Sequence, residues 1–188
     1  DPEMFIDGPP RKCGRPGPRV RAGLGCLPRV AARGQPIYRR RMRRAEGERR
    51  LADVHDTYHA ALSQEIAAGV ARFGTAFLID CHSMPSSQPA RRPLADIVLG
   101  DRYGGSCSHR LTSLVERAFR RRGYSVARNA PYAGGYTTLR YGRPAMDVHA
   151  LQIEIRRDLY MDERRVVRTD GFSSLEADLA SVLSELAV

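Results

Sequence analysis

The residues best suited to chemistry lie between positions 75 and 87, where an apolar run turns polar and then irregular. Residues 76–79 form a short apolar run bounded by glycine and followed by a loop rich in proline and serine, which predicts a buried strand. Asp80, His82 and Ser83 stand at the exit of that strand. Ligands of open α/β sheets bind beyond the carboxyl ends of the strands, so a binding site is expected here.

His82 has two interpretations. It could be a metal ligand or a general base, but an imidazole in a folded protein is often a structural hydrogen-bonding group. Asp80 comes two residues earlier, so in an ideal strand it points to the same side and could orient the imidazole as a second-shell partner. Cys81 points to the opposite side, which predicts a core position and argues against a Cys-His pair formed by these neighbours.

Glu154 lies on the polar side of a strand predicted over residues 150–156, in which apolar and polar side chains alternate. A carboxylate in that position could act as the general base for a metal-bound water. A salt bridge to Arg128, Arg156 or Arg157 would account for it equally well. The residue pattern leaves both interpretations open.

Two further features could shape a pocket. Arg128 and Asn129 end a predicted strand, where they could bind a carboxylate or simply cap the sheet. Gly134 and Gly135 would let the backbone approach a ligand closely, although a pair of glycines is a weak signal by itself.

The composition is that of a globular chain with a large excess of arginine. Its 188 residues are 42% hydrophobic, enough to bury a core, and the net charge of +10 comes almost entirely from arginine. Such a charge can bind nucleic acid, membranes or anionic substrates, but without interleaved aromatic residues or a known motif we expect no specific nucleic-acid binding. No apolar run approaches the roughly 20 residues of a membrane helix, so a soluble protein without a membrane partner is expected.

The cysteines point to a reducing compartment. Cys13, Cys26, Cys81 and Cys107 form no C-x-x-C pair and show no regular spacing. Neither a zinc ribbon nor a disulfide framework is therefore indicated, and reduced thiols in a cytoplasmic protein fit better.

Hydrophobic periodicity predicts an α/β protein with one domain over residues 1–188. Residues 1–44 are a loop-rich lead-in, and a helix follows over 45–73, because apolar residues recur every three or four positions from Leu51 onwards. Helices and strands then alternate, which is typical of the α/β class. The later predicted elements are strands at 76–81, 94–99, 124–128 and 150–156, a helix over 108–121, and a last helix from Ser173, where Ser173 and Glu176 have capping-box spacing.

Four groups of residues, spread over most of the chain, carry a resemblance to a known family. They are Asp80-Cys-His-Ser-Met-Pro-Ser86, Ala95-Asp-Ile-Val-Leu-Gly-Asp-Arg-Tyr103 with Ser106-Cys107, Arg128-Asn-Ala-Pro-Tyr-Ala-Gly-Gly-Tyr136 with Tyr141-Gly-Arg-Pro144, and His149-Ala-Leu-Gln-Ile-Glu-Ile155 with Leu159-Tyr-Met-Asp-Glu163. Together and in this order they resemble the N-formylglutamate amidohydrolase family. The combination is far more specific than any single motif.

This resemblance implies a zinc-dependent hydrolase with the phosphorylase/hydrolase-like α/β fold, a mixed sheet flanked by helices, which zinc carboxypeptidases and aspartoacylases share. It implies that His82 is a zinc ligand and that Glu154 is the carboxylate that activates water. Zinc would polarise the formyl carbonyl, and Glu154 would carry a proton to the departing nitrogen.

The resemblance also implies a small N-acyl amino acid as the partner. Arg128 and Arg157 would hold the carboxylates of the substrate, and Asn129, Gly134 and Gly135 would shape the pocket. The implied reaction is hydrolysis of N-formyl-L-glutamate to L-glutamate and formate, a step of histidine degradation.

Two departures from the family pattern matter. Family members usually begin with a Pro-His-Ser-Gly segment and an acidic residue that supply the other two zinc ligands, and this sequence shows neither, so we expect a segment upstream of Asp1. Arg156 stands where the family often has asparagine. The alternative function is therefore a catalytically silent homologue, or a module that binds carboxylates or polyanions through its arginines.

Overall fold

A mixed sheet of four strands forms the centre of the larger part of the protein. The computed structural model describes residues 21–23, 25, 27–31, 34–40, 42–87 and 94–186. The strands are β1 (Ala76–Met84), β2 (Ile97–Gly100), β3 (Val126–Arg128) and β4 (Val148–Arg156). They lie in the order β1-β4-β2-β3, in which β4 is parallel to β1 and antiparallel to β2. Because helices flank this mixed sheet, the predicted α/β class is confirmed.

The three longer predicted helical segments are all present, and one short helix is additional. The helices are α1 (Arg44–Arg50), α2 (Thr57–Phe73), α3 (His109–Arg121), α4 (Tyr136–Tyr141) and α5 (Gly171–Ser184). A π-helical stretch, Leu51–Asp56, joins α1 to α2, so the helix predicted over residues 45–73 is continuous. Gly74, at φ 75°, ends it as expected. The short helix α4 and a small antiparallel pair, β5 (Met161–Asp162) and β6 (Val167–Arg168), were not predicted.

The chain divides into two compact units, Asp1–Leu62 and Ser63–Val188, and the sheet belongs to the second. In the first unit, the described part of the lead-in is irregular, as predicted: Ala31 N donates to Gln35 O and Ile37 N to Arg29 O, both at 2.8 Å. Residues 1–20 of the predicted lead-in lie outside the described residues. The assignment of a single domain to residues 1–188 stays a prediction.

The hydrophobic core lies between the sheet and helices α3 and α5. β4 is buried along almost its whole length because it has a strand on each side and covered faces. α3 contributes its apolar face to the core. Ser108 caps this helix by accepting from Leu111 N at 3.3 Å, and Gly123 follows its end at φ 87°. The fully buried apolar core residues include Ile97, Leu99, Val115, Ala118, Phe119, Leu151 and Val182.

Two expectations about the burial of β1 are wrong. β1, predicted to be buried, is an edge strand among the described residues, with Phe77 exposed, Ile79 half-buried and Cys81 exposed rather than in the core. An edge strand has one neighbour only, so its apolar sequence does not bury it. On the long helix, three of the recurring apolar residues are exposed: Val54, Tyr58 and Phe73.

The last helix begins two residues before the predicted capping box. Ser173 is an exposed residue inside α5, and no side chain caps this helix. Its first residue must be glycine, because a Cβ on Gly171 would lie 2.1 Å from Leu159 O. No helix among the described residues is both long and apolar enough to cross a membrane.

Candidate active site

The parallel pairing of β1 with β4 brings four polar side chains onto one face of the sheet. Asp80 is opposite Gln152, and His82 is opposite Glu154. Directly opposite residues of neighbouring strands share a face, and residues two apart along a strand share it too. The sequence-predicted Asp80, His82 and Glu154 are therefore brought together by the register.

Glu154 is buried with a single strong hydrogen-bond donor. Its residue is 5% exposed and that of Gln152 is 4% exposed. Gln152 Nε2 donates to Glu154 Oε1 at 2.6 Å, a charge-assisted hydrogen bond that offsets part of the cost of burying the carboxylate. This contact fixes one carboxylate oxygen and leaves the other available to a reactant.

His82 is the most exposed of these four polar residues. Its side chain is 48% exposed, its Nε2 is 3.1 Å from Asp80 Oδ1, and its Nδ1 is 4.0 Å from Glu154 Oε1. The geometry thus provides the Asp80 contact that the two-residue spacing predicted. An imidazole held between two carboxylates can donate to one of them while presenting its other nitrogen.

Two glycine-containing loops close over the same face. A Cβ on Gly100, at the end of β2, would lie 2.6 Å from Gly134 N, so glycine is required for the two backbones to meet. Gly134 has φ 116°, which L side chains rarely adopt. A Cβ on Gly135 would lie 3.1 Å from Gln152 Oε1, so this loop lies against the site.

Asn129 holds the loop after β2 in place. With φ at 57°, it donates from Nδ2 to Asp101 Oδ1 at 2.7 Å, and its Oδ1 accepts from Asp101 N at 3.1 Å. Asp101 is buried and also accepts from Thr112 Oγ1 at 3.0 Å. In this structure Asn129 therefore supports the loop rather than facing the four polar side chains.

The two arginines predicted to bind substrate have different surroundings. Arg128 forms an ion pair with Glu116, to which its Nε donates at 2.7 Å, and its Nη2 donates to Ser113 Oγ at 2.9 Å. Arg157 follows β4 and donates from Nε to Ser83 Oγ at 3.1 Å and from Nη2 to Ser83 O at 3.4 Å, with Glu163 Oε2 4.0 Å from its Nη1. Its side chain is 37% exposed, whereas that of Arg128 is 25% exposed.

The described side chains of the polar group do not provide all the ligands of a catalytic zinc. Among the described residues there is no group of three or more His, Cys, Asp or Glu side chains placed to hold a metal ion. His82 is the one imidazole in the polar group, whereas a catalytic zinc needs three protein ligands and an open position. The described residues alone therefore do not make a complete zinc site.

A buried carboxylate beside an imidazole, at the carboxyl ends of two parallel strands in a mixed sheet, is typical of α/β hydrolytic enzymes that move protons during bond cleavage. The family model for N-formylglutamate amidohydrolase matches residues 1–161. The chain belongs to the N-formylglutamate amidohydrolase family.

Individual relatives agree with this family. The chain is 35% identical over 174 residues to N-formylglutamate deformylase of Pseudomonas aeruginosa, which covers 88% of this chain and 65% of that protein. It is 33% identical over 150 residues to N-formylglutamate deformylase of Pseudomonas putida, which covers 76% of this chain and 55% of that protein. The crystal structure of N-formylglutamate amidohydrolase from Ralstonia eutropha JMP134 superposes with a TM-score of 0.86 at 41% identity, over 97% of this chain and 67% of that chain. The chain therefore spans between about half and two thirds of the length of these relatives.

Sequence reasoning missed Gln152. The alternating pattern identifies it only as a polar position of the strand. In the structure it is as buried as Glu154 and is hydrogen-bonded to it. Its spacing of two residues from Glu154 was the available signal, since that spacing places both on one face of a strand.

Proposed function

We propose that this protein is an amide hydrolase that converts N-formyl-L-glutamate and water into L-glutamate and formate. The observation that carries the proposal is the buried Glu154 carboxylate, held by Gln152 on the polar face that His82 borders. Family membership supports the choice of substrate, because two relatives are named N-formylglutamate deformylase.

In the proposed mechanism Glu154 is the general base. Its carboxylate takes a proton from a water molecule while the water oxygen bonds to the formyl carbon. The same proton is then given to the substrate nitrogen as the carbon–nitrogen bond breaks, which yields formate and the amine. Gln152 keeps one carboxylate oxygen fixed during both transfers, so the other oxygen can carry the proton.

The proposal includes zinc as the cofactor and His82 as one of its ligands. The support is the resemblance in the residues around His82 and the position of its ring, which borders the base at the mouth of the site. When bound, zinc would supply Lewis-acid activation of the carbonyl and of water. Since the described residues do not complete its ligand set, no step above depends on it.

Substrate carboxylates are proposed to bind Arg157 rather than Arg128. A guanidinium binds a carboxylate through parallel N–H donors, and those of Arg128 are already directed to Glu116 and Ser113. Arg157 has longer contacts, to Ser83 at 3.1 and 3.4 Å and to Glu163 at 4.0 Å, and it is the more exposed of the two. We further propose that the reaction ends one route of histidine degradation in the cytoplasm.

The test is release of formate from N-formyl-L-glutamate by the purified full-length protein, measured with and without added zinc. Formate release that requires zinc would support the proposed activity and cofactor. Zinc that binds the wild type and is lost in a His82→Ala variant would support His82 as a zinc ligand. His109→Ala is the matched control, because His109 is an exposed histidine on α3. A chain that releases no formate under either condition contradicts the proposed activity.

A further inference from the structure

The buried amide of Gln152 has one satisfied end and one unsatisfied end. Nε2 donates to Glu154 Oε1 at 2.6 Å. Oε1 is buried and has no hydrogen-bond partner among the described residues. A buried acceptor without a donor is costly, and such groups in native proteins call for an explanation.

The carboxylate decides which end of this amide is free. Glu154, when ionised, can only accept hydrogen bonds, so the group of Gln152 that faces it must be the NH₂. The carbonyl oxygen is therefore directed away from Glu154, and the missing partner must be a donor. A molecule that completes this site has to bring an N–H or O–H group to within hydrogen-bond distance of Gln152 Oε1.

The glycine loop lies directly against this acceptor. The atom nearest to a Cβ on Gly135 would be Gln152 Oε1, at 3.1 Å. Gly135 has φ −99° and ψ −159°, an extended conformation that other residues adopt, so backbone geometry does not explain a glycine here. Apart from the adjoining residues, Gln152 Oε1 is the one described heavy atom within 4 Å of that Cβ position, so glycine leaves a side-chain position beside the carbonyl unfilled.

We propose that Gln152 Oε1 accepts the N–H of the amide that is cleaved, and so selects secondary amides over esters. This inference rests on the proposed function, in which Glu154 acts on that same amide. The contact would hold the substrate by the nitrogen of the bond that is cleaved, on the sheet face that also carries Glu154. An ester has an oxygen in place of the N–H, so its lone pairs would face the lone pairs of Oε1.

The experiment compares binding of N-acetyl-L-glutamate with that of its ester isostere, 2-acetoxyglutarate, by calorimetric titration. The wild type should bind the amide roughly tenfold to a hundredfold more tightly, because a site built for an N–H rejects an analogue that leaves its buried acceptor unpaired. Two variants should reduce this ratio at least tenfold. Gln152→Met removes the acceptor, while Gly135→Ala crowds it and keeps the contact between Gln152 and Glu154.

Gly69→Ala is the matched control. Gly69 lies in α2, where a Cβ would make only an ordinary contact of 3.5 Å with Ala76 Cβ, so the ratio should stay at the wild-type value. A wild type that binds both ligands equally or binds neither would overturn the inference, as would a ratio unchanged in both variants.

Formate release, measured in parallel, separates this inference from the proposed function. A chain that prefers the amide but releases no formate contradicts the function and supports the Gln152 contact. A chain that releases formate but does not prefer the amide supports the proposed function and contradicts the Gln152 contact.

Discussion

Replacing Glu154 by glutamine tests the proposed general base with little change in shape. The side chains have the same length, and the amide oxygen of the new glutamine can still accept from Gln152 Nε2. What disappears is the ability to take a proton from water. Glu154→Gln should therefore remain folded but lose most of its turnover.

The size of the effect follows from the role. General-base catalysis contributes about 10²- to 10⁴-fold, so the barrier should rise by about 2.7 to 5.4 kcal/mol. Exchanging a charge-assisted hydrogen bond for a neutral one costs about 1 kcal/mol of stability, which is partly offset because no charge is then buried. The activity loss should thus exceed the stability loss several times over.

The assay is the initial rate of formate release at saturating N-formyl-L-glutamate, with thermal unfolding and bound zinc measured on the same samples. Zinc content should be unchanged, because Glu154 is proposed as a base and not as a ligand. Glu176→Gln, an exposed carboxylate on α5, is the matched control and should keep the wild-type rate. A Glu154→Gln variant within tenfold of the wild-type rate would refute the general-base role.

Three further predictions concern recognition and stability. Arg157→Met should raise KM for N-formyl-L-glutamate at least tenfold and reduce its preference over N-formyl-L-glutamine, whereas Arg128→Met should mainly lower the melting temperature; the opposite pattern refutes this. Burial lowers the pKa of His149, so its protonation destabilises the folded state, and the free energy of unfolding should decrease as the pH falls below 6.5. The decrease should be smaller in His149→Asn, and an equal decrease in both proteins would contradict this assignment. Gly142→Ala would put a Cβ 2.4 Å from Ser106 Cβ, so urea denaturation should show a loss of about 1–3 kcal/mol, and an unchanged midpoint would contradict the clash.

Local signals predicted the helices and strands well where one face alone meets the core. The pattern of α3 repeats every three to four residues and is closed by Ser108 and Gly123, and the structure has those ends and that buried face. The need for glycine at the start of α5 could not be predicted in this way. It depends on how closely Leu159 approaches Gly171, a contact between segments that no local pattern records.

The same distinction applies to the site. Asp80 and His82 could be placed on one face because their spacing along a single strand determines it. Their meeting with Glu154 needed the register between β1 and β4, for which the family resemblance was the only guide. The ion pair of Arg128 joins a strand to α3, so sequence alone could not show that its guanidinium is already occupied.

The glycines of the loop near the site show why residue type underdetermines role. Gly134 and Gly135 were both predicted to shape a pocket, but Gly134 is constrained by its φ of 116° and by Thr138 Oγ1, 2.6 Å from where its Cβ would be. A substitution at Gly134 would therefore distort the loop wherever a ligand binds. Gly135 has an ordinary backbone conformation, and Gln152 Oε1 is what a side chain there would contact. Of the two, Gly135 is consequently the position at which a change in ligand selectivity can be separated from a change in fold.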